Sequence, residues 1–333
     1  MKRLILLASM CLFTGLLLSQ SVPRIRTEDK VRIKEAMRIS ELFGEKIWRG
    51  IQEAPFALLL VTDSIEFLTN HPAPSKDFLH LGYDAVLGSQ VYYRKTVFNK
   101  SFLATFPAVN GINTIVVGTP ENTGTNTNSW ILSILHEHFH QFVYSGPDYY
   151  DAVHRLDLSD GDQTGMWMLN YPFPYSDSAV VLQYRNYTRA LSETLSRINS
   201  DSLQPSVLRY VAERKKLQQL LKPAEYRYFS FQIWQEGIAR YTEFKFLDLL
   251  DKYEPSKEVS SLQDYVPFEK YRETFYQQQV GRITQWDLSS RRRDCFYALG
   301  FGEGLVLDKQ NPQWREKYLT DKFYIEQYSS LFR

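Results

Sequence analysis

The residues best suited to chemistry lie in one pentapeptide, His136-Glu137-His138-Phe139-His140, which has the pattern H-E-x-x-H. The apolar segment that leads into it, Trp130-Ile131-Leu132-Ser133-Ile134-Leu135, predicts a helix. Residues four apart share one face of a helix, so His136 and His140 could both bind one metal ion. Glu137 would lie close enough to act on a water molecule bound to that ion. The pattern therefore indicates zinc-dependent hydrolysis.

A catalytic zinc site usually has three protein ligands and an open position for water, and this pentapeptide supplies only two. The third should be a His, Glu or Asp on another element, because the chain has no usable pattern of thiols. Glu236 is the best candidate, since it is a carboxylate within an otherwise apolar predicted helix, residues 229–250. Gly237 follows it and would cost about 1 kcal/mol in a helix interior. A glycine here indicates that another helix approaches closely, as two helices sharing one metal ion would.

These two segments together resemble the gluzincin-type zinc metallopeptidases, although they do not identify one specific family. In the gluzincins, H-E-x-x-H on one helix is followed later in the chain by E-G-x-A-x-Y on another. This chain has Glu236-Gly237-Ile238-Ala239-Arg240-Tyr241 at the corresponding place. The resemblance implies one catalytic Zn²⁺ bound by His136, His140 and Glu236. It also implies that Glu137 is the general base.

The resemblance extends to the strand before the first helix, and it also has a departure. It implies that residues 113–118 form an edge strand that lines the cleft and pairs with extended substrate. Thermolysin-like members carry an acidic residue four positions after the third ligand, where this chain has Arg240. Glu243 could take over the role of accepting a hydrogen bond from a ligand imidazole, or it could be a solvated carboxylate. Thermolysin-type specificity is therefore not inferred.

Hydrolysis of an amide also needs a donor for the oxyanion that forms. Tyr297 is the first candidate, and Tyr241, Arg240 and His154 follow. A structural role accounts for each of the four more readily, because nothing in the sequence fixes its position near the zinc. His138 should face away from the metal side of its helix, where packing or a hydrogen bond would account for it.

The whole sequence predicts an α+β, mainly α protein, in which a small N-terminal sheet packs on a helical body that carries the metal site, as the zincin-like resemblance implies. In the α/β part, residues 22–120, we predict a helix at 28–48 and strands at 55–61, 65–68, 90–94 and 113–118. In the mainly helical part, residues 121–333, we predict helices at 130–144, 177–200, 204–222, 225–252, 265–281, 292–308 and 312–331. Gly300-Phe301-Gly302-Glu303-Gly304 indicates close helix packing, because no strand precedes it as a phosphate loop would require. We expect one catalytic domain, residues 22–333.

The N-terminus has the composition of a secretory signal. Lys2 and Arg3 precede an apolar run at 4–18 and small residues at a suitable cleavage site, so residues 1–21 are interpreted as a signal peptide. An uncleaved N-terminal anchor is the alternative. Removal of the signal changes the net charge from +1 to −1 by loss of those two cations. No second segment is long enough to span a membrane, and nothing in the charge points to nucleic acid.

These observations predict an exported zinc-dependent metallohydrolase, periplasmic or extracellular, whose substrate is a peptide or protein. Two alternatives stay open at this point. One is a zinc amidohydrolase that acts on something other than a peptide. The other is a non-catalytic binding protein that retains a vestigial pair of metallopeptidase helices.

Overall fold

The structure is a computed structural model that describes residues 22–332, apart from the side chain of residue 332. The proposed signal peptide, residues 1–21, lies outside the described residues. The first part of the chain contains α1 (Thr27–Ile47), β1 (Leu58–Val61), β2 (Ile65–Thr69), β3 (Leu79–Asp84), β4 (Ser89–Lys95), β5 (Leu103–Val109) and β6 (Ile112–Gly118), with a short 3₁₀ turn at Ile51–Glu53.

The second part of the chain is helical. It contains α2 (Pro120–Thr123), α3 (Thr127–Ser145), α4 (Tyr149–His154), α5 (Trp167–Asn170), α6 (Ser178–Ser196), α7 (Leu203–Leu220), α8 (Pro223–Gln232), a π-helical turn (Ile233–Gly237), α9 (Ile238–Leu249), α10 (Lys257–Ser260), α11 (Phe268–Gln285), α12 (Leu288–Arg291) and α13 (Asp294–Gln310). The predicted α+β class with a mainly helical body is confirmed. Within residues 22–332, no helix combines the length and apolar character needed to cross a bilayer.

The six strands form one sheet in the order β3-β4-β2-β1-β6-β5. β1 pairs parallel with β6, and the other neighbouring strands pair antiparallel. All four residues of β1 are buried, as expected for a short apolar run at the centre of a sheet with both faces covered. The predicted strands at 55–61, 65–68, 90–94 and 113–118 correspond to β1, β2, β4 and β6.

The expectation that residues 113–118 form an edge strand is wrong. This segment is β6, and it lies between β1 and β5. Its last five residues are buried. The buried N–H and C=O groups of such a strand need hydrogen-bond partners along both of its edges, which two neighbouring strands supply. The edge strand next to it is β5, which was not predicted. Pro107 lies in β5, and the pairing with β6 shifts register after Phe106, both of which are typical of an edge.

Most of the predicted helices are confirmed, but the last is wrong. The helix expected at 312–331 is replaced by three 3₁₀ turns, at Trp314–Lys317, Ile325–Tyr328 and Ser330–Phe332. Phe323 has a φ of 75°, in the left-handed region that interrupts a right-handed helix. Trp314 and Tyr328 are both buried. The apolar residues of this segment, whose spacing predicted a helix, therefore pack on the core from 3₁₀ turns and irregular backbone.

Helix α3 lies between the sheet and the rest of the helical body. It packs on β5 and β6 on one side and on α1 and α9 on the other. The main cluster of buried apolar side chains runs through this interface, and a smaller cluster that includes Leu59 and Val116 covers other side chains of the sheet. Such layers bury one face of each element, and α3 is buried on nearly all of its faces.

Candidate metal centre

The histidine helix α3 is held in place by bonds to its neighbours. It begins after Asn126, whose side chain accepts a hydrogen bond from Ser129 N at 2.9 Å, as a helix N-cap does. The indole of Trp130 donates to the carbonyl of Gly118 at 2.8 Å at the end of β6. Thr105 on the edge strand β5 donates to the carbonyl of Glu137 at 2.9 Å. The backbone that carries the pentapeptide is therefore attached to the two strands nearest to it.

Glu236 lies in the π-helical turn between α8 and α9. Such turns occur within longer helices and often mark functional sites. The neighbouring Gly237 packs against Gly300 of α13, because a Cβ added at Gly237 would lie 2.5 Å from the Gly300 Cα atom. The expectation that Gly237 permits a close helix approach is confirmed, but the approaching helix is α13 and not α3. The glycines of α13 serve helix packing, as predicted.

Three ligand-type atoms meet at one point between α3 and the π-helical turn. His136 Nε2 lies 3.0 Å from His140 Nε2, and Glu236 Oε2 lies 3.6 Å from the first of these nitrogens and 3.4 Å from the second. A tetrahedral zinc site with bonds of 2.0–2.1 Å has ligand atoms about 3.4 Å apart. The three side chains are thus spaced as ligands of one ion would be, and they could hold a metal ion.

The charges around this point also suit a cation. Burial alone would lower the pKa of His136, but hydrogen bonds to Glu236 and Glu243 raise it to about 10. Burial would raise the pKa of Glu236, but His140 and His136 lower it well below its usual value. The site therefore keeps the partly buried carboxylate of Glu236 ionised and binds a proton strongly. A metal ion would take the place of that proton.

Glu243 is buried and bound to His136, so the solvated alternative does not apply. Its Oε1 atom lies 2.6 Å from His136 Nδ1, and its Oε2 atom accepts from Arg240 Nη1 at 2.8 Å. With Nδ1 donating to Glu243, the lone pair of His136 Nε2 faces the other two ligand atoms. Arg240, the departure from the thermolysin pattern, thus neutralises the carboxylate that orients His136.

Glu137 faces the same region with a free oxygen. Its side chain is buried, and its Oε2 atom has no hydrogen-bond partner among the residues that the structure describes. Burial raises the pKa of Glu137, although the nearby His140 and His136 oppose that rise. His136 and Glu137 both line a cavity of about 300 Å³. Glu137 can therefore exchange a proton with a molecule in this cavity.

Of the four candidate oxyanion donors, the structure brings Tyr297 to the site most directly. Its ring stacks on His136 with the centroids 6.1 Å apart, and it lines the same cavity. Burial and the negative charge of Glu236 raise its pKa. Tyr241 instead donates to Asp308 at 2.7 Å, away from this cavity. Arg240 lines the cavity, whereas His154 is an exposed residue at the end of α4.

The remaining histidine of the pentapeptide packs as expected. His138 is buried against Phe56, with ring centroids 4.1 Å apart, and its Nδ1 atom lies 3.3 Å from Gln141 Oε1. Burial lowers the pKa of His138 to about 4, so this imidazole is neutral at neutral pH. It belongs to the core of the protein.

Sequence reasoning missed two residues near the metal centre. Tyr144 stacks on His140 with the ring centroids 5.4 Å apart, and its spacing of four from His140 on one helix could have revealed it. Arg282 of α11 lines the cavity beside His136 and Glu137. No local pattern connects Arg282 with the pentapeptide, so only the fold could bring it there.

Comparison with known proteins adds no further constraint. No family model, no curated protein and no solved structure matches the chain. The site is therefore defined by its own geometry, as a two-histidine, one-glutamate group that could hold a metal ion.

Proposed function

We propose that the protein is a zinc-dependent hydrolase that cleaves amide bonds in peptides. The observation that carries the proposal is the triangle of His136 Nε2, His140 Nε2 and Glu236 Oε2, with sides of 3.0, 3.4 and 3.6 Å. Two imidazole nitrogens and one carboxylate oxygen are ligands that catalytic zinc commonly has, whereas Mg²⁺ and Ca²⁺ favour oxygen ligands. Three protein ligands leave one tetrahedral position for water or substrate.

The protein's own residues account for the proton transfers in this proposal. A bound zinc ion supplies Lewis acidity, which lowers the pKa of water and polarises the substrate carbonyl. Glu137 has a buried oxygen without a partner in residues 22–332, so it is placed to accept the proton of the attacking water. It then returns that proton to the leaving amine. The raised pKa of Glu137 favours both proton transfers, because the pKa of the carboxyl group then lies closer to neutral pH.

Tyr297 is the proposed donor to the oxyanion. Burial and Glu236 raise its pKa, so the phenol keeps its proton at neutral pH. Arg293 Nη1 donates to the Tyr297 hydroxyl oxygen at 3.1 Å, which holds the ring in place and leaves the hydroxyl hydrogen able to donate. A single donor of this kind typically contributes about 10²- to 10³-fold to kcat.

The edge strand β5 supports a peptide as the substrate. Its outer edge is unpaired within the described sheet, and Leu103, its first residue, lines the cavity. An extended peptide could add to this edge through backbone hydrogen bonds and pass in front of Glu137. The bond from Thr105 to the carbonyl of Glu137 fixes the edge relative to the proposed general base.

We further propose that the protein is exported. The support is the order of Lys2 and Arg3, the apolar run at 4–18 and the small residues that follow. Determination of the N-terminal residue of the mature protein tests this, because cleavage near residue 21 is expected.

A set of variants tests the zinc-hydrolase proposal. The protein should bind one zinc ion and hydrolyse a peptide library in a chelator-sensitive way. Glu236→Ala should weaken zinc binding by more than about 100-fold, since it removes a direct ligand. Glu137→Gln should keep zinc but lose about 10²- to 10⁴-fold in kcat. Tyr297→Phe should keep zinc and lose about 10²- to 10³-fold in kcat.

Glu273→Ala is the matched control, because Glu273 is exposed on α11 and its carboxylate only contacts Gln277 on the same helix. Full zinc occupancy in Glu236→Ala would refute the third ligand. Unchanged turnover in Glu137→Gln would refute the general base. Sub-stoichiometric zinc with no hydrolysis would favour a non-catalytic binding protein, and hydrolysis of non-peptide amides alone would favour the other alternative.

A further inference from the structure

The guanidinium of Arg282 lies in the wall of the cavity and has no ion-pair partner among residues 22–332. Arg282 lies in the last turn of α11 and lines the cavity with His136 and Glu137. It is half-buried, yet its side chain makes no hydrogen bond and no ion pair with any residue in the range 22–332. Its guanidinium lies over the ring of Trp286, 4.8 Å from the centroid. That stacking occupies one face of the planar group and leaves its N–H donors free at the edge.

Neither Glu243 nor Asp294 forms an ion pair with Arg282 in the described part of the chain. Both oxygens of Glu243 are already bound, one to His136 and one to Arg240. Asp294 also lines the cavity, but it is exposed, and no ion pair within 4.0 Å joins it to Arg282 in the described part of the chain. Burial and the positive charge of Arg240 lower the pKa of Arg282. The protein therefore keeps a half-buried guanidinium, which has no direct ion pair within residues 22–332, near that of Arg240, at a cost in stability.

A charge held at such a cost in a cavity points to a ligand of the opposite sign. The guanidinium fork matches the two oxygens of a carboxylate, and hydrogen bonds between charged partners are the stronger ones. The cavity of about 300 Å³ is at the small end of ligand sites, so it suits one residue of a peptide better than an extended segment.

We propose that Arg282 binds a carboxylate of the substrate, so that the enzyme prefers peptides with an acidic residue or a free C-terminus next to the scissile bond. This inference rests on the proposed peptidase function. The carboxylate has two sources, the side chain of Asp or Glu and the terminal α-carboxylate. Both present the same group to the same guanidinium, and the peptides used in the test separate them.

The test uses a peptide series in which Glu is exchanged for Gln at each position around the cleaved bond, each peptide as the free acid and as the C-terminal amide. Arg282→Gln should lower kcat/KM by about 10- to 100-fold for the preferred carboxylate peptide and leave the neutral peptide nearly unchanged. Loss of preference on Glu→Gln exchange identifies the side chain, and loss on amidation identifies the C-terminus. Arg282→Glu should reverse the preference toward Lys.

Arg272→Gln is the matched control on the same helix, since Arg272 pairs with Asp248 and does not line the cavity. It should leave the preference unchanged. A binding measurement that needs no turnover complements the kinetics, namely calorimetric titration of the Glu137→Gln protein with the Glu and Gln members of the series. The Glu peptide should bind about 10-fold or more tightly, and Arg282→Gln should abolish the difference.

Equal kcat/KM or equal affinity for the charged and neutral peptides in the parent protein would overturn the proposal. An unchanged preference in Arg282→Gln would do the same. If no peptide is hydrolysed, the peptidase function fails on its own, and the binding measurement then decides about Arg282. Absence of carboxylate-dependent binding in that case also overturns it.

Discussion

A single methyl group at Gly237 should damage both the fold and the candidate metal centre. A Cβ at this position would lie 2.5 Å from Gly300 Cα and 2.9 Å from both Gly300 N and Phe296 O. Ordinary carbon contacts begin at about 3.5 Å, so the π-helical turn and α13 would have to separate by about 1 Å. All three obstructing atoms belong to the backbone of α13, and a side-chain rotation cannot relieve the clash. Glu236 immediately precedes Gly237 in the chain, so it would move with the turn.

The size of the effect follows from these distances. Overpacking of this kind costs about 1–3 kcal/mol, and the backbone contacts place Gly237→Ala near the upper end. Replacement of Gly by Ala in a helix stabilises the folded state by about 0.5–1 kcal/mol. We therefore expect the free energy of unfolding to fall by about 2 kcal/mol in total. Zinc ligands tolerate displacements of only about 0.2 Å. A shift of Glu236 by a larger amount should therefore weaken zinc binding by at least about tenfold.

Denaturant unfolding and zinc titration measure the two effects separately. Gly281→Ala is the control, because a Cβ at Gly281 would meet only the side chain of Gln285, at 3.5–3.7 Å. That variant should be stabilised by about 0.5–1 kcal/mol, with unchanged zinc affinity. A Gly237→Ala protein with the parent's unfolding midpoint and zinc affinity would show that the close contact with Gly300 does not position Glu236.

Two further predictions concern His136. Because its pKa is raised to about 10 in the metal-free protein, the protonated imidazole stabilises the fold fully below pH 6.5, and this stabilisation is lost as the pH rises toward 10. Zinc would displace the same proton when it binds. Zinc affinity should therefore rise with pH across that window, by up to about tenfold per pH unit. A flat pH profile in metal titrations would contradict this. Glu243→Gln should weaken zinc binding by about 10- to 100-fold, because it removes the charge that supports His136. Zinc affinity equal to that of the parent protein would show that the Glu243 carboxylate is dispensable.

The residues of the candidate metal centre could be predicted because their signals are local. His136 and His140 are spaced by one helical turn, and any helix places them together. Glu236 could be found because a carboxylate followed by glycine is costly inside an apolar helix, which indicates a special role. The π-helical turn around Glu236 could not be predicted, because no residue type marks the insertion of one extra residue into a helical turn.

The failures have a different physical origin. The edge strand β5 contains a proline and two alanines, so its own sequence has little strand signal, and its place is set by pairing with β6. The segment at 312–331 has apolar residues at helical spacing, but they follow the shape of the core on which they pack. Arg282 belongs to the cavity because α11 packs on α9 and α13, a contact between segments far apart in sequence. Such long-range packing leaves no periodic pattern to detect.

The charges around the cavity connect the metal centre with the proposed role of Arg282. Four carboxylates and three guanidinium groups surround the cavity and the ligand atoms, namely Glu137, Glu236, Glu243, Asp294, Arg240, Arg282 and Arg293. With His136 protonated, as its raised pKa favours in the metal-free protein, the formal charge of the group is 0. A divalent ion that replaces this proton changes the total to +1, and the loaded site then favours an anion. Carboxylate binding at Arg282 should therefore be stronger with zinc than without it, because the ion would give the site a net positive charge that attracts an acidic substrate.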